Sequence, residues 1–270
     1  MGAAHPPRSR SRPITTSTPA HQLCPPLSDL AGALNEAAPF LAAADAARGE
    51  GYVNHEGGDV GGHGTERSLY RHVANYLAAA EVGARAGVAG AVLDVGSGTG
   101  ALAAWVAHRI RARLHLVDRD PAVRAVALAA FPHVTVHPEL TDVPSRSAAL
   151  VMGMEVVEHV APARQPGFVR ALVERVAPGG LLVLSTPDES RYVGGWSGYA
   201  PHVGPVDADR LRTLLEQAAP GIDATAAPDA MVWRLEGDPF HAGLVRRMVQ
   251  PVANRLWTRL GPLVEPVTHR

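Results

Sequence analysis

Lysine is absent from this chain of 270 residues, so its strongly basic side chains are all arginines. Without lysine there is no Schiff-base amine, no cofactor-linking lysine and no phosphate-loop lysine. Cysteine is nearly as scarce: Cys24 stands alone, which excludes an intramolecular disulfide. A chain with one cysteine fits a reducing compartment, and we expect the cytoplasm. These absences remove several enzyme classes before any motif is considered.

The chain also has almost no net charge, because 25 arginines face 26 acidic residues. It therefore has no overall attraction to nucleic acid or to an anionic membrane, and neither is an expected partner. We expect no transmembrane span. Apolar residues make up 46% of the chain, so its length suits one α/β domain with additions.

The first 90 residues divide into an arm and a helical region. Residues 1–28 contain no acid, several prolines and a Ser/Arg cluster, which predicts a disordered arm. Residues 29–90 form a predicted N-terminal helical cap, with helical apolar spacing over 29–47 and 66–86. The glycine-rich loop between these helices, residues 51–64, is predicted to be a flexible connection, a mobile lid over an active site or a metal site.

The stretch AVLDVGSGTG, residues 91–100, is an apolar run that ends in an acid and then breaks into alternating glycines. It predicts the first strand of a parallel sheet turning directly into a helix, with glycines that let a ligand approach the backbone. Asp94 precedes the glycines, where it would repel a dinucleotide pyrophosphate and attract a cationic or zwitterionic ligand. S-adenosylmethionine carries such charges.

Further apolar runs alternate with helical patterns along the rest of the chain. The predicted strands are the apolar run that opens the stretch 91–100, then 114–117, 134–136, 148–153 and 181–185, followed by an edge hairpin over 222–235. The alternation predicts an α/β fold over residues 91–238: a doubly wound, Rossmann-like, mostly parallel sheet with helices on both faces. Residues 239–270 are predicted to form a C-terminal helical extension that packs on the domain or joins two copies in an oligomer.

Asp118 ends the second predicted strand, 20 residues beyond Gly98. A carboxylate at that point of a doubly wound sheet can accept both hydroxyls of a ribose. Asp120 and Pro121 come next, and they predict the N-cap and the first position of a helix. We therefore expect a ligand-binding role for Asp118 and a structural role for Asp120.

Four landmarks agree in order and spacing with the class I S-adenosylmethionine-dependent methyltransferases, which this chain resembles over residues 91–227. They are LDVGSGTG at 93–100, Asp118, HPELTDVP at 137–144 and GMEVVEHV at 153–160. The resemblance implies S-adenosylmethionine as cofactor, with its methionine part at the glycines and Asp94, its ribose at Asp118 and its adenine at Glu139 and Leu140. The full cofactor-binding set so implied is Asp94, Gly96, Ser97, Gly98, Gly100, Asp118, Arg119, Glu139, Leu140 and Met154.

The segment MEVVEHV is also similar to a narrower subgroup, that of the ubiquinone-pathway O-methyltransferases and the small-RNA 3′-end 2′-O-methyltransferases. Its ExxEH pattern falls on Glu155, Glu158 and His159. In some members these residues bind a divalent metal with a later histidine, a place that His202 fits. Residues at i, i+3 and i+4 share one helical face, so the four would hold Mg²⁺ or another divalent metal that polarises a hydroxyl. The same pattern also occurs without metal, where it orients the loop after the fourth strand.

Methyl transfer from a sulfonium is an in-line displacement, so the protein has to align the acceptor and exclude water. An oxygen acceptor benefits from a general base, and histidine is the first candidate because its side chain ordinarily titrates at about pH 6.5. The predicted catalytic residues are His159, Glu155 and His202, with His63 and His55 behind them. The expected function is methylation of a small molecule, at oxygen before nitrogen or carbon. A composition typical of a GC-rich genome favours specialised metabolism.

A late loop over residues 186–204 contains Tyr192, Trp196 and Tyr199, which predict an aromatic wall beside an apolar or planar acceptor. Three other functions stay open. GSGTGA also meets the looser dinucleotide pattern G-x-G-x-x-A, which allows a nicotinamide-dependent oxidoreductase. The ExxEH pattern allows a metal-assisted RNA 2′-O-methyltransferase, and the intact cofactor motif alone allows a non-catalytic regulator.

Overall fold

A computed structural model of the chain describes residues 27–48, 66–187 and 199–218. Several predicted features lie outside the described residues: most of the arm over 1–28, the loop over 51–64 with His55 and His63, Tyr192 and Trp196, the hairpin over 222–235 and the extension over 239–270.

Five strands form one parallel sheet in the order β3-β2-β1-β4-β5. The strands are β1 Ala91–Val95, β2 Arg113–Val117, β3 Thr135–His137, β4 Ala148–Met154 and β5 Val176–Ser185. The chain starts in the middle of the sheet, winds out to β3, and returns to continue with β4 on the other side of β1. This confirms the predicted doubly wound α/β fold.

Within the described residues, six α-helices pack around the sheet. They are α1 Leu27–Ala47, α2 Glu66–Arg85, α3 Ala101–Arg109, α4 Pro121–Ala130, α5 Gln165–Arg175 and α6 Ala208–Ala218. Asp120 caps α4 as predicted, since its Oδ1 accepts a hydrogen bond from the backbone N–H of Ala122 at 2.8 Å. Among the helices that the structure describes, none combines the length and the apolar character needed to cross a membrane.

The two faces of the sheet carry separate apolar clusters. One cluster joins Leu116 of β2 to Trp105 of α3 and to buried residues of α1 and α2. The other joins Val117, the next residue of β2, to Leu172 of α5 and Leu214 of α6. Successive side chains of a strand point to opposite faces, so one short strand serves both clusters. The N-terminal helices therefore pack in the same core as the sheet.

The strand boundaries lie within a single residue of the predictions, except that the start of the fifth strand differs by more. The fifth strand begins at Val176 rather than Leu181, because the Pro-Gly-Gly run at 178–180 lies within the strand as an irregularity that shifts its register on β4. Helix α5 begins at Gln165, where Pro166 sits in the first turn and its missing N–H costs no hydrogen bond.

The carboxyl ends of the five strands meet at one edge of the sheet because all strands run in the same direction. The chain leaves β1 and β4 toward opposite sides of the sheet, so the crevice between these two strands is a topological switch point. Ligands of doubly wound sheets bind in that crevice. The predicted site residues follow the ends of β1, β2, β3 and β4, and so the fold brings them to this edge.

Candidate functional site

Three glycines make the turn from β1 into α3, and all have positive φ: 72° at Gly96, 55° at Gly98 and 76° at Gly100. A Cβ at Gly96 would lie 2.6 Å from Cγ2 of Val156, and one at Gly100 would overlap Cδ1 of Leu116. Gly98 differs, since in the part of the chain that the structure describes no atom lies within 4 Å of a Cβ built there. Two of the glycines thus permit packing, and Gly98 presents its backbone to open space that a ligand can enter.

Asp118 fastens this turn to the end of β2. Its Oδ2 accepts a hydrogen bond from the N–H of Gly98 at 2.9 Å, and its Oδ1 accepts one from the N–H of Asp120 at 2.9 Å. The N–H of Ser97 donates to the carbonyl of Val117 at 3.2 Å. Each carboxylate oxygen can accept more than one hydrogen bond, so these contacts are compatible with the predicted ribose role of Asp118.

Asp94 is completely buried in β1 and is joined to α2. The hydroxyl of Tyr76 donates to its Oδ2 at 2.8 Å, while its Oδ1 has no hydrogen-bond partner among the described residues. Burial raises the pKa of Asp94 to about 7; the Tyr76 hydrogen bond and the backbone N–H of Val95 oppose that rise, and the charge of Asp118 adds to it. Burial and the adjacent carboxylate of Asp94 also raise the pKa of Tyr76 well above its usual value. A nearby ammonium group would favour the ionised form of Asp94.

The predicted adenine residues follow β3. The N–H of Glu139 donates to Oδ2 of Asp142 at 3.1 Å and so fixes a short 3-10 turn, while the Glu139 side chain is exposed. Leu140 is half-buried beside it. Of the remaining predicted cofactor residues, Arg119 is exposed after β2 and Met154 is buried at the end of β4.

The prediction that Glu155, Glu158 and His159 share one helical face is wrong. Glu155 has a φ of 54°, a left-handed conformation that a right-handed helix does not contain. Helical backbone begins only at the 3-10 turn Val157–His159. The i, i+3, i+4 argument therefore does not apply to Glu155.

The carboxylate of Glu155 is held by helix α2. Nε of Arg71 lies 3.1 Å from its Oε2, and Nδ2 of Asn75 donates to its Oε1 at 3.2 Å. The same Asn75 amide donates to Oγ of Ser185 at 3.1 Å, and the N–H of Glu155 donates to the carbonyl of Ser185 at 2.9 Å. Glu155 thus links α2 to the ends of β4 and β5.

Glu158, His159 and His202 come together beside this link. Each contributes one oxygen or nitrogen to a group in which all three atoms lie within 4.8 Å of one another, and the two imidazole rings are 5.0 Å apart and nearly perpendicular. Glu158 is completely buried, and neither of its carboxylate oxygens has a hydrogen-bond partner among the described residues. Burial and then the charge of Glu155 raise the pKa of Glu158 well above its usual value. The backbone N–H of Glu158 and then the hydroxyl of Thr186 oppose this rise in the pKa.

The loop that carries His202 is bonded to the turn after β4. The N–H of Gly204 donates to the carbonyl of Glu158 at 2.9 Å. The side-chain amide of Gln165 donates to the carbonyls of Gly204 at 2.6 Å and Val160 at 3.3 Å. A Cβ at Gly204 would overlap the carbonyl oxygen of Val160, so a glycine is needed for this close approach.

An apolar rim lies next to His202. The ring of Tyr199 meets that imidazole edge-on, with the ring centroids 4.9 Å apart. The backbone carbonyl of Tyr199 accepts a hydrogen bond from the backbone N–H of His202 at 3.0 Å. Tyr199 is 40% exposed and Val203 is 54% exposed, which places apolar surface beside the histidine pair. Tyr199 is the member of the predicted aromatic wall that falls within the described residues.

Sequence reasoning missed three residues of α2: Arg71, Asn75 and Tyr76. Asn75 and Tyr76 follow Arg71 by about one helical turn, and the three side chains contact residues at the strand ends. Asn75 is 6% exposed and Tyr76 is 5% exposed within an otherwise apolar buried stretch. That interruption of an apolar helix face by polar groups is the signal the sequence offers, but it does not reveal their partners.

A family model described as "Methyltransferase domain" matches residues 65–219. A SAM-dependent methyltransferase from Archaeoglobus fulgidus has a similar structure, with a TM-score of 0.44 and 18% identity over 54% of this chain and 68% of that one. CalS10, an amino pentose methyltransferase from Micromonospora echinaspora, has a TM-score of 0.38 and 28% identity over 43% of this chain and 50% of that one. An O-methyltransferase family protein from Burkholderia thailandensis has a TM-score of 0.43 and 16% identity over 55% of this chain and 54% of that one. This chain therefore spans about half the length of the last two proteins. No curated protein sequence matches it.

Proposed function

The chain belongs to the methyltransferase-domain family, as an S-adenosylmethionine-dependent methyltransferase, and we propose that it methylates an oxygen atom of a small molecule. One observation carries the proposal. Two groups of residues follow the strand ends at one edge of the sheet: Asp94 and Gly98, suited to a cationic donor, at the end of β1, and two histidines with an apolar rim after β4 and β5.

The donor half fits S-adenosylmethionine in its chemistry. Oδ1 of Asp94, which has no hydrogen-bond partner within the described ranges, would accept a hydrogen bond from the methionine ammonium, and Asp118 would accept hydrogen bonds from the ribose hydroxyls. The open space at Gly98 lets the ligand approach the backbone. The same Asp94 argues against a nicotinamide dinucleotide, because a carboxylate at this turn would repel a pyrophosphate.

In the acceptor half, His159 is the proposed general base and His202 the second candidate. When bound, S-adenosylmethionine supplies a methyl group activated by positively charged sulfur. The residues of the chain have to hold the acceptor in line, keep water out and take up the proton of the acceptor hydroxyl. Tyr199 and Val203 supply apolar surface for a planar or apolar acceptor.

A metal-assisted form of the reaction has a specific observation in its favour. Glu158, His159 and His202 converge within 4.8 Å, and both oxygens of the buried Glu158 lack hydrogen-bond partners in the described part of the chain. Two imidazoles and one carboxylate suit Zn²⁺, Mn²⁺ or Fe²⁺ better than Mg²⁺, which prefers oxygen ligands. A metal held there would polarise an acceptor hydroxyl. Glu155 has no place in this ligand set, because its carboxylate is bound by α2.

Calorimetric titration with S-adenosylmethionine and, separately, with NAD tests the donor assignment. We expect heat with the first ligand and none with the second; the reverse result would overturn the proposal. Asp118→Ala is expected to abolish the heat. The matched control is Asp120→Asn, which removes a neighbouring charge and keeps a good N-cap residue on α4.

The acceptor is tested by release of S-adenosylhomocysteine in the presence of phenols, sugars and amines, each with and without chelator. Faster release with hydroxyl compounds supports the proposal. Faster release with amines would indicate that nitrogen is the methylated atom. Stimulation by RNA ends alone would indicate that the acceptor is RNA and not a small molecule. Binding of S-adenosylmethionine without turnover on any acceptor would instead indicate a regulator.

A further inference from the structure

We infer that Tyr76 is a positioning residue for the cofactor: its hydroxyl fixes Oδ2 of Asp94, so that Oδ1 is left to receive the ammonium group of S-adenosylmethionine. The inference rests on the proposed function, since it requires that ligand at the glycine turn. It assigns a role in donor binding to helix α2, which lies outside the glycine motif.

The contact between the two side chains is short and dry. Tyr76 is 5% exposed, Asp94 is 0% exposed, and the hydroxyl lies 2.8 Å from the carboxylate oxygen. The next residue on the helix, Asn75, is itself hydrogen-bonded to Glu155 and Ser185. Two separate anchors thus fix this part of α2 over the strand ends, and the Tyr76 hydroxyl has little freedom to leave Asp94.

The other oxygen of Asp94 shows why this arrangement matters. A buried carboxylate oxygen without a partner is costly, and an apolar side chain would remove that cost. Among the described residues, no hydrogen-bond partner meets Oδ1 of Asp94, which lies in the strand that leads into the glycine turn. With Oδ2 occupied by Tyr76, the carboxylate cannot turn its free oxygen away without breaking a buried hydrogen bond.

The charges around Asp94 determine how pH affects this contact. Asp118 faces it from the end of β2, Tyr76 from α2, and on β4 the register partner is the apolar Met152. The charge of Glu155, at the end of β4, raises the pKa of Tyr76. Burial brings the pKa of Asp94 to about 7, and the Tyr76 hydrogen bond lowers it. Removing the hydroxyl would raise that pKa and leave the carboxyl protonated to a higher pH.

The test is calorimetric binding of S-adenosylhomocysteine, which carries the same ammonium group, to the full chain at a series of pH values. Wild-type affinity is expected to fall as the pH drops below about 7, as Asp94 takes up a proton. In Tyr76→Phe the affinity at neutral pH should be about tenfold weaker, with the midpoint of the fall about one unit higher. The ligand amine itself titrates at about pH 8, so the acidic side of the profile is the one to compare.

Val73→Ala is the matched control, because Val73 is fully buried on the same helix. It is expected to lower the melting temperature without moving the pH midpoint. A folded Tyr76→Phe protein with the wild-type midpoint would overturn the inference and leave the proposed function standing. A wild-type protein that binds neither S-adenosylhomocysteine nor S-adenosylmethionine would overturn the proposed function itself.

Asp94→Asn keeps the inference testable if Tyr76→Phe does not fold. The amide oxygen can still accept the Tyr76 hydrogen bond, but the side chain no longer ionises. We expect weak binding that does not change on the acidic side of neutrality. A remaining fall in affinity with the wild-type midpoint would show that another group governs the profile, and the inference would be wrong.

Discussion

Nε of Arg71 and Oε2 of Glu155 lie 3.1 Å apart, and the Glu155 side chain is only 7% exposed. The pair joins helix α2 to the turn after β4, where Glu155 has a left-handed backbone. A buried carboxylate depends on its partners more than an exposed one does, because removing a partner leaves it poorly compensated. This ion pair is therefore expected to contribute more to stability than the ion pairs on the surface.

Arg71→Gln should lower the free energy of unfolding by about 1–3 kcal/mol, since Glu155 would keep only the Asn75 amide. The matched control is Arg85→Gln, which removes an exposed pair with Glu81 on the same helix. That change should cost at most about 0.5 kcal/mol. Urea unfolding at equal m-values measures both. Equal losses in the two variants would contradict a special role for the buried pair.

The glycine turn allows a comparison of two alanine variants. Both Gly98→Ala and Gly100→Ala place a side chain at positive φ, at a cost of about 1–2 kcal/mol each. Only the methyl group at 100 collides with Leu116, so that variant should be clearly less stable. Gly98→Ala should fold and lose affinity for S-adenosylmethionine, because its methyl group enters the open space. Thermal melts and calorimetry separate the two effects; unchanged affinity in Gly98→Ala would place the ligand elsewhere.

Asp94→Asn should change how stability depends on pH. The pKa of Asp94 is raised to about 7 in the folded protein, above its unfolded value, so ionisation opposes folding. Wild-type stability without ligand should therefore fall relative to Asp94→Asn from about pH 4 to about pH 7, by about 1.4 kcal/mol for each unit. Above pH 7 the difference should stay constant. Denaturant melts across this range measure it, and a difference that does not vary with pH would refute the assignment.

Glu158→Gln should have opposite effects on metal binding and on stability. Metal binding should be lost, if wild-type protein takes up one Zn²⁺ or Mn²⁺ per chain in a calorimetric titration. Without metal, Glu158→Gln should be more stable than the wild type at any pH where Glu158 is ionised, since burial raises the pKa of Glu158 and a neutral amide avoids its ionisation. Glu174→Gln, on the exposed side of α5, is the control. Wild-type protein that takes up no metal would leave His159 as a base and exclude the metal-assisted form.

The fold could be predicted because its signals are local. Strands buried on both faces of a parallel sheet read as short apolar runs, and β1 is buried at all five of its residues. The start of β5 could not be predicted, because the run at 178–180 has the sequence of a turn. The strand continues through this run because the residues on either side of it pair with β4, Val176 with Ala148 and Leu181 with Leu150, and local sequence does not contain those contacts.

The glycine turn between β1 and α3 could be predicted for the same reason, since its glycines and Asp94 lie in one short motif. The contacts of α2 could not. Tyr76 reaches a partner 18 residues away, and Asn75 reaches one 80 residues away. The conformation of Glu155 was also hidden, because its backbone is bonded to Ser185 on the neighbouring strand and not to a helix.

Gly204 has a consequence for any attempt to change the acceptor. The loop around it meets the carbonyls of Glu158 and Val160 through a backbone seam that has no room for a side chain. The spacing of His159 and His202 is therefore set by main chain. Because main chain joins residues 157–160 to residues 202–206, we expect that a new acceptor loop has to be grafted with both segments together. If only one segment were grafted, the two imidazoles would lose their alignment even where both histidines were kept.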